Sequence, residues 1–382
     1  MIDKLFYNIY EKGALSVICS LNREVHCVVT SPPYFQKRTY GKSDEEIGKE
    51  KEVQTYLINL VEIFNSIQLH PSGSIWVNIG DKRDHNSGLM MIPERFALLM
   101  KESDWRLVDS VIWAKVVVED DGSTIGNCNP EPAPGRLNAN GYEYLYRFVR
   151  GNKDIWSDTS SVRIPRRNGD PSSRYLPEKL MSIHSAVDGR NLSNVWRTNM
   201  GQTSEKHYAV YSKSLVERPV AMTCPMFVCS QCGFIRTRIE NMVEYDEERR
   251  PAPKNHMNIF GKSGIEQPKS KRVFGKYNSI NEYDPAKSKD IGGRCDIGRE
   301  YIPRKPQTVG WSDCGHDAYT PGIVLDPFCG SGTTGEVALK LGRSFIGVDL
   351  YQEFAETSIG RCERVLNELK NNELPDPFKS FQ

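Results

Sequence analysis

The chain has 382 residues, with 50 Lys plus Arg against 49 Asp plus Glu and a formal net charge of +1. That length buries a large core and fits one big domain with an insertion, and the balanced charge excludes a globally basic nucleic-acid binder, so any such affinity rests on local patches. No apolar run reaches spanning length and no basic-then-apolar leader opens the chain, so the expectation is a soluble, cytoplasmic protein without a membrane partner, whose ten cysteines are buried thiols with a metal-binding subset.

Residues 4–31 read as strand, helix, strand. Val28–Tyr34, V-V-T-S-P-P-Y, runs an apolar strand into a rigid corner. Pro32 and Pro33 fix φ, carry no N–H and bias the preceding residues toward extended backbone. The Ser31 hydroxyl and the Pro32 carbonyl can then stand as acceptors at the strand's carboxyl end, with the Tyr34 ring beside them. Read alone, the stretch is equally a proline turn that ends a strand. Tyr56, Leu57, Leu60, Val61 and Phe64 fall at helical spacing within Gly41–Ile67. Pro71-Ser72-Gly73 reads as a turn before the buried strand Ser74–Ile79, which Asp81 follows. Ile92–Met100 is an amphipathic helix and Leu107–Trp113 a strand.

From Val116 to about Arg197 the pattern breaks down. Arg163, Arg166, Arg167 and Arg174, with Tyr175, form a loose basic stretch, and Glu143 sits in G-Y-E-Y. His207–Pro219 reads as a loop and helix. Cys229-Ser-Gln-Cys232-Gly233 is a C-x-x-C-G knuckle suited to tetrahedral zinc, and Cys314-Gly315-His316 offers the distant half. The fourth ligand is open among Cys224, His316 and Cys295, with Cys224 preferred. Between the halves, Tyr245–Arg299 is charged and rich in Gly and Pro, as a long exposed insertion would be; Lys269, Lys271 and Arg272 there are candidates for backbone-phosphate contacts.

Pro321–Gly335 reads P-G-I-V-L-D-P-F-C-G-S-G-T-T-G. The apolar strand ends in Asp326, Gly330 and Gly332 allow a tight turn, and Thr333 and Thr334 start a helix that Gly342 stops. Ser344–Val348 is a second strand, ended by Asp349. The acids stand 23 residues apart, close to the spacing at which a doubly wound sheet sets its second acid on a ribose. No Gly-Lys-Ser/Thr follows the glycines, which excludes a phosphate-gripping P-loop. The unit points to a nucleoside-type cofactor.

T-S-P-P-Y at 30–34, I-W-V-N-I-G-D at 75–81, and D-P-F-C-G-S-G-T-T-G with F-I-G-V-D at 326–349 resemble the amino-methyltransferases of DNA. The order, catalytic stretch before cofactor stretch, resembles the beta class. The resemblance implies an α/β, Rossmann-like methyltransferase sheet with helices on both faces, an inserted target-recognition region and a zinc knuckle. Its division would be 1–115 catalytic half, 116–197 target recognition, 198–223 return helix, 224–316 knuckle with insertion, and 317–382 cofactor half. It implies transfer of a methyl group from S-adenosylmethionine to the N4 amine of a cytosine flipped out of double-stranded DNA. Adenine N6 and an inactive zinc-bearing nucleic-acid binder are the alternatives. Ser31, Pro32, Pro33 and Tyr34 would be catalytic. Thr30, Asp326, Pro327, Phe328, Gly330, Gly332, Thr333, Thr334 and Asp349 would hold the cofactor, and Asn78 and Asp81 would line the pocket. Cys224, Cys229, Cys232 and Cys314 would bind a structural zinc. A separate restriction endonuclease is the expected functional companion. The sequence departs from the family after its first strand, where Gly13 stands in place of an acid and Glu11 is the substitute at hand.

Overall fold

The computed structural model describes residues 1–37, 41, 43–86, 88–118, 124–125, 141–151, 155–163, 191–198, 212–241 and 307–371. The chain forms two units, one of Met1–Ile164, Asn191–Ile239 and Thr308–Gln382, the other of Pro165–Arg190 and Glu240–Gln307. Arg166, Arg167, Arg174, Tyr175, Lys269, Lys271, Arg272 and Cys295 lie outside the described residues.

The described strands are β1 (Tyr7–Glu11), β2 (Val25–Thr30), β3 (Leu69–Ile79), β4 (Trp105–Lys115), β5 (Val117–Val118), β6 (Thr124–Ile125), β7 (Tyr142–Arg150), β8 (Val195–Thr198), β9 (Val228–Cys229), β10 (Arg238–Asn241), β11 (Gln307–Trp311), β12 (Tyr319–Thr320), β13 (Ile323–Asp326) and β14 (Ser344–Asp349). The helices are α1 (Ala14–Ser20), α2 (Val53–Asn65), α3 (Ile92–Glu102), α4 (Lys213–Thr223), α5 (Thr333–Lys340) and α6 (Gln352–Lys370). Among the described residues no helix is long and apolar enough to cross a membrane.

Eight strands form one sheet in the order β1-β14-β13-β2-β3-β7-β4-β8. From β1 to β3 all neighbours are parallel, whereas β7 runs antiparallel to both β3 and β4. Every residue of β2 and β13 is buried, as strands covered on both faces require. One face packs Trp76, Trp113 and Phe345 against Leu215 and Val220 of α4 and Val365 of α6. The other packs Ile75 and Phe148 against Leu57 and Phe64 of α2 and Phe96 of α3. After β13 the chain crosses through α5 to β14; after β2 it crosses through α2 to β3 on the opposite side. The carboxyl ends of β13 and β2 therefore flank the point where strand order reverses, which is where open α/β sheets bind ligands.

Two expectations fail locally. Pro71-Ser72-Gly73 is part of β3, taken up where the β2–β3 register shifts from Val25↔Leu69 to Cys27↔Ser74. An irregularity tolerates Pro71 because its missing N–H breaks no regular ladder bond. The stretch after Val116 also contains β7, a sheet strand read as patternless from sequence. Its residues from Leu145 to Val149 are all buried, so apolar-polar alternation is absent.

Candidate active site and metal centre

Asp326 ends β13 fully buried, and its carboxylate collects three donors. Thr30 Oγ1 reaches Oδ1 at 2.6 Å, Thr334 Oγ1 reaches Oδ2 at 2.6 Å, and the Phe328 N–H reaches Oδ1 at 3.1 Å. Hydrogen bonds to a charged acceptor contribute about 1.5–3 kcal/mol each, which compensates the ion for losing water. This one carboxylate ties the end of β2 to the turn before α5. Thr333 is turned elsewhere, accepting from Arg361 Nη1 of α6 at 3.1 Å. Pro327 is buried and Phe328 half-buried.

The turn after Asp326 needs its glycines. Gly330 has φ +50°, and Gly332 has φ +81° with Ser358 Oγ 2.4 Å from where a Cβ would stand. The Gly330 N–H donates to Asp349 Oδ2 at 2.9 Å, and the Tyr351 N–H donates to Oδ1 at 3.1 Å. A carboxylate has about four lone-pair sites, so Asp349 keeps acceptor capacity for a diol. Burial holds its acid up at about 6. Glu11 ends β1 exposed and in register with Asp349. A Cβ at Gly13 would meet the far end of the exposed Glu45 side chain, with Oε2 at 2.6 Å, and that side chain would have to move aside.

Ser31–Tyr34 leaves β2 at the same edge. Tyr56 of α2 donates its hydroxyl to the Pro33 carbonyl at 2.9 Å and fixes the corner from below. Asn78, on β3, points its amide N–H groups at Glu143 Oε2 (2.7 Å), the Tyr34 oxygen (2.9 Å) and Ser31 Oγ (3.4 Å). The Tyr34 hydroxyl donates to Glu143 Oε2 at 2.6 Å. Burial, then the Glu143 carboxylate, holds that phenol well above its ordinary range. Lys115 Nζ pairs with Glu143 Oε1 at 2.5 Å. Asn78 Oδ1 is buried without a partner. A small residue is required beside this network, since a Cβ at Gly80 would meet Tyr34 at 3.1 Å and Glu143 at 3.2 Å. Asp81 serves elsewhere, accepting from the Met91 and Ile92 N–H groups at the start of α3. Glu143 and Lys115 were not foreseen as site residues. The signal was an acid and a lysine on strands that burial allows only when they pair.

The metal centre differs from expectation in one ligand. Cys229, Cys232, Cys314 and His316 bring their ligand atoms within 4.8 Å of one another. His316 Nδ1 lies 3.6 Å from Cys229 Sγ and 3.5 Å from Cys314 Sγ. A tetrahedral zinc with ordinary Zn–S and Zn–N bonds has an S···N edge of about 3.6 Å, so the donor set and its spacing fit that ion. Gly233 and Gly315, each after a cysteine ligand, have φ +72° and +79°, which lets both knuckles turn back. Cys224 is not part of the group. It caps the C-terminus of α4, fully buried, with burial pushing its thiol well up and its carbonyl taken by Arg343. A thiol sunk in that apolar core cannot turn toward the knuckles.

A mostly parallel α/β sheet thus carries, at the point where its strand order reverses, a hydroxyl-bearing corner and a glycine turn joined on one carboxylate. The N6_N4_Mtase family model, described as DNA methylase, matches residues 25–226 and 318–360. The chain belongs to this family, and it is a DNA methyltransferase of the N6/N4 group. It is similar to the Type II methyltransferase M.SfiI of Streptomyces fimbriatus, 25% identical over 91% of this chain and 89% of that protein. The Type II methyltransferase M.SmaI of Serratia marcescens is 27% identical over 53% of this chain and 70% of that protein. Among solved structures, PvuII DNA methyltransferase (cytosine-N4-specific) covers 96% of this chain and 93% of its own at 14% identity, with a TM-score of 0.47.

Proposed function

We propose that the chain transfers a methyl group from S-adenosylmethionine to the exocyclic N4 amine of cytosine in double-stranded DNA, as the modification half of a Type II system whose endonuclease acts separately. The observation that carries this reading is Ser31: a short, neutral hydroxyl held at the end of β2 by Asn78, next to the cofactor turn. When bound, the cofactor's sulfonium supplies an electrophilic methyl.

The residues divide the work. Asp349 accepts the ribose hydroxyls and Phe328 packs beside them. The Gly330–Thr334 turn, shaped by Asp326, holds the amino-acid end. Ser31 Oγ and the Pro32 carbonyl accept N–H bonds from the base amine. That amine is a poor nucleophile because its lone pair is spread into the ring; two acceptors draw it toward tetrahedral geometry at attack distance. The base must leave the duplex to reach them, and the Tyr34 face stacks on it. Cys229, Cys232, Cys314 and His316 hold a structural zinc that takes no part in the transfer.

Ser31 favours cytosine because a Ser head on the P-P-Y stretch resembles the cytosine-N4 members, whereas the adenine-N6 members mostly carry Asp or Asn. Mass spectrometry of nucleosides from DNA treated with purified enzyme tests this. N4-methylcytosine is expected; N6-methyladenine alone would overturn the base assignment and leave the machinery intact. Ser31→Ala is expected to bind cofactor normally and lose most turnover, because the acceptor matters chiefly while the amine attacks.

A further inference from the structure

Methylating an amine leaves one proton too many on the nitrogen, and the protein must receive it. Asn78 cannot, being an amide. Asp326 is saturated by Thr30, Thr334 and the Phe328 N–H, and Asp81 is occupied at the start of α3. Among the described residues, the carboxylate hydrogen-bonded to the Ser31–Tyr34 corner is Glu143, brought there by β7.

We propose that Glu143 is the terminal proton acceptor of the methyl transfer, reached through the Ser31 and Tyr34 hydroxyls. The inference rests on the function proposed above. Asn78 donates to Ser31 Oγ and to the Tyr34 oxygen, so its amide keeps both hydroxyl protons pointing onward. Ser31 Oγ and the Tyr34 oxygen share the Asn78 Nδ2 donor, at 3.4 and 2.9 Å, and the Tyr34 hydroxyl donates to Glu143 Oε2 at 2.6 Å. As the amine lone pair forms the N–C bond and the C–S pair stays on sulfur, the amine N–H breaks and its proton joins Ser31 Oγ. The Ser31 proton moves to the Tyr34 oxygen, and the Tyr34 proton moves to Glu143 Oε2. One proton is transferred in total, every oxygen of the chain but the last regains a hydroxyl, and Glu143 ends as a neutral acid that returns its proton to solvent after turnover.

Lys115 makes the resting state competent. It pairs with the other carboxylate oxygen, and its side chain is only 10% exposed, so the carboxylate has a buried partner charge on the side away from Tyr34. The charged or titratable groups facing Glu143 are Lys115 from β4 and Tyr34 from the corner after β2; Lys37 lies beyond, 5.4 Å from the centre of the Tyr34 ring. Glu143 touches neither reactant. It is a positioning residue that also stores the proton, which separates it from a buried carboxylate that only braces the strand.

The test uses the full-length enzyme, a DNA duplex carrying the modified site, and single-turnover transfer measured from pH 5 to 9. Glu143→Gln keeps the shape and the hydrogen-bonding oxygen but holds no proton. It is expected to lose about 100-fold in transfer rate, the scale of general acid–base contributions. Cofactor affinity by calorimetry and base flipping by 2-aminopurine fluorescence stay at wild-type values. The pH dependence of transfer differs between the wild type and E143Q, which has no group there to take up the proton. Tyr34→Phe, which keeps the ring and breaks the relay, shows the same two changes, and the double variant is no slower than either single. Should E143Q fail to fold, Y34F decides alone. A wild-type rate in E143Q, a slow E143Q with the wild-type pH dependence, or a loss traced to weakened binding overturns the relay. A wild-type enzyme that methylates no DNA overturns the functional reading itself, a result distinct from any of these.

Discussion

Thr334→Val replaces a hydroxyl by a methyl of the same size and removes one donor from the fully buried Asp326. The lost bond is 2.6 Å long and ends on an ion, the class that contributes about 1.5–3 kcal/mol. Asp326 keeps Thr30 and the Phe328 N–H, so the carboxylate is weakened rather than stranded. The expected loss is about 2 kcal/mol. With a urea slope of about 3 kcal/mol/M, that moves the unfolding midpoint down by about 0.7 M. Thr357→Val is the control, because that half-buried residue's hydroxyl bonds the Glu353 carbonyl at the solvent side of α6; it is expected to shift the midpoint by less than about 0.2 M. Thr30→Val should cost as much as Thr334→Val. The double variant should cost more than the sum, since the buried carboxylate of Asp326 then loses both hydroxyl donors at once. A midpoint for Thr334→Val no lower than the Thr357→Val control would refute the view that Asp326 joins the corner to the turn.

Asp349 makes the second prediction. Burial lifts its acid to about 6, so between about pH 4 and 6 the folded protein holds a proton that the unfolded chain releases. Stability of the free protein therefore rises as pH falls through that window, by about 3 kcal/mol in all, while cofactor affinity falls because the protonated acid is a poorer acceptor. Urea unfolding and calorimetry at pH 5 and 8 check both slopes; Asp349→Asn should abolish both, and unchanged slopes would sink the assignment. For the metal centre, elemental analysis should give about one zinc per chain in wild type and in Cys224→Ala, and none in Cys232→Ala. Zinc lost from Cys224→Ala but kept in His316→Ala would restore the ligand set read from sequence.

The strand–turn–strand unit at Ile323–Asp349 was legible because its structure is local. Ile323–Asp326, Gly330, Gly332 and Asp349 are fixed by strand, turn and strand within a short span, and the structure sets them as read. The corner at Ser31–Tyr34 was legible for the same reason. What escaped was non-local. Glu143 reaches Tyr34 only because β7 inserts between β3 and β4, and nothing near G-Y-E-Y announces an antiparallel partner 65 residues from Asn78. Cys224 against His316 is the same failure in miniature. Sequence proximity to a knuckle suggested a ligand, whereas the end of α4 had already committed that thiol to the core.

Cys232 and Cys314 sit within the first unit, a few residues inside the points where the chain leaves it, after Ile239, and rejoins it at Thr308. Their closeness means that the ends of the intervening stretch are already paired, whatever that stretch contains. The entropy of closing a loop grows only with the logarithm of its length, so doubling it costs about 0.6 kcal/mol. The two knuckles thus work as a socket. Segments of very different length and sequence can be exchanged between them during evolution while the methyl-transfer sheet feels almost none of the change.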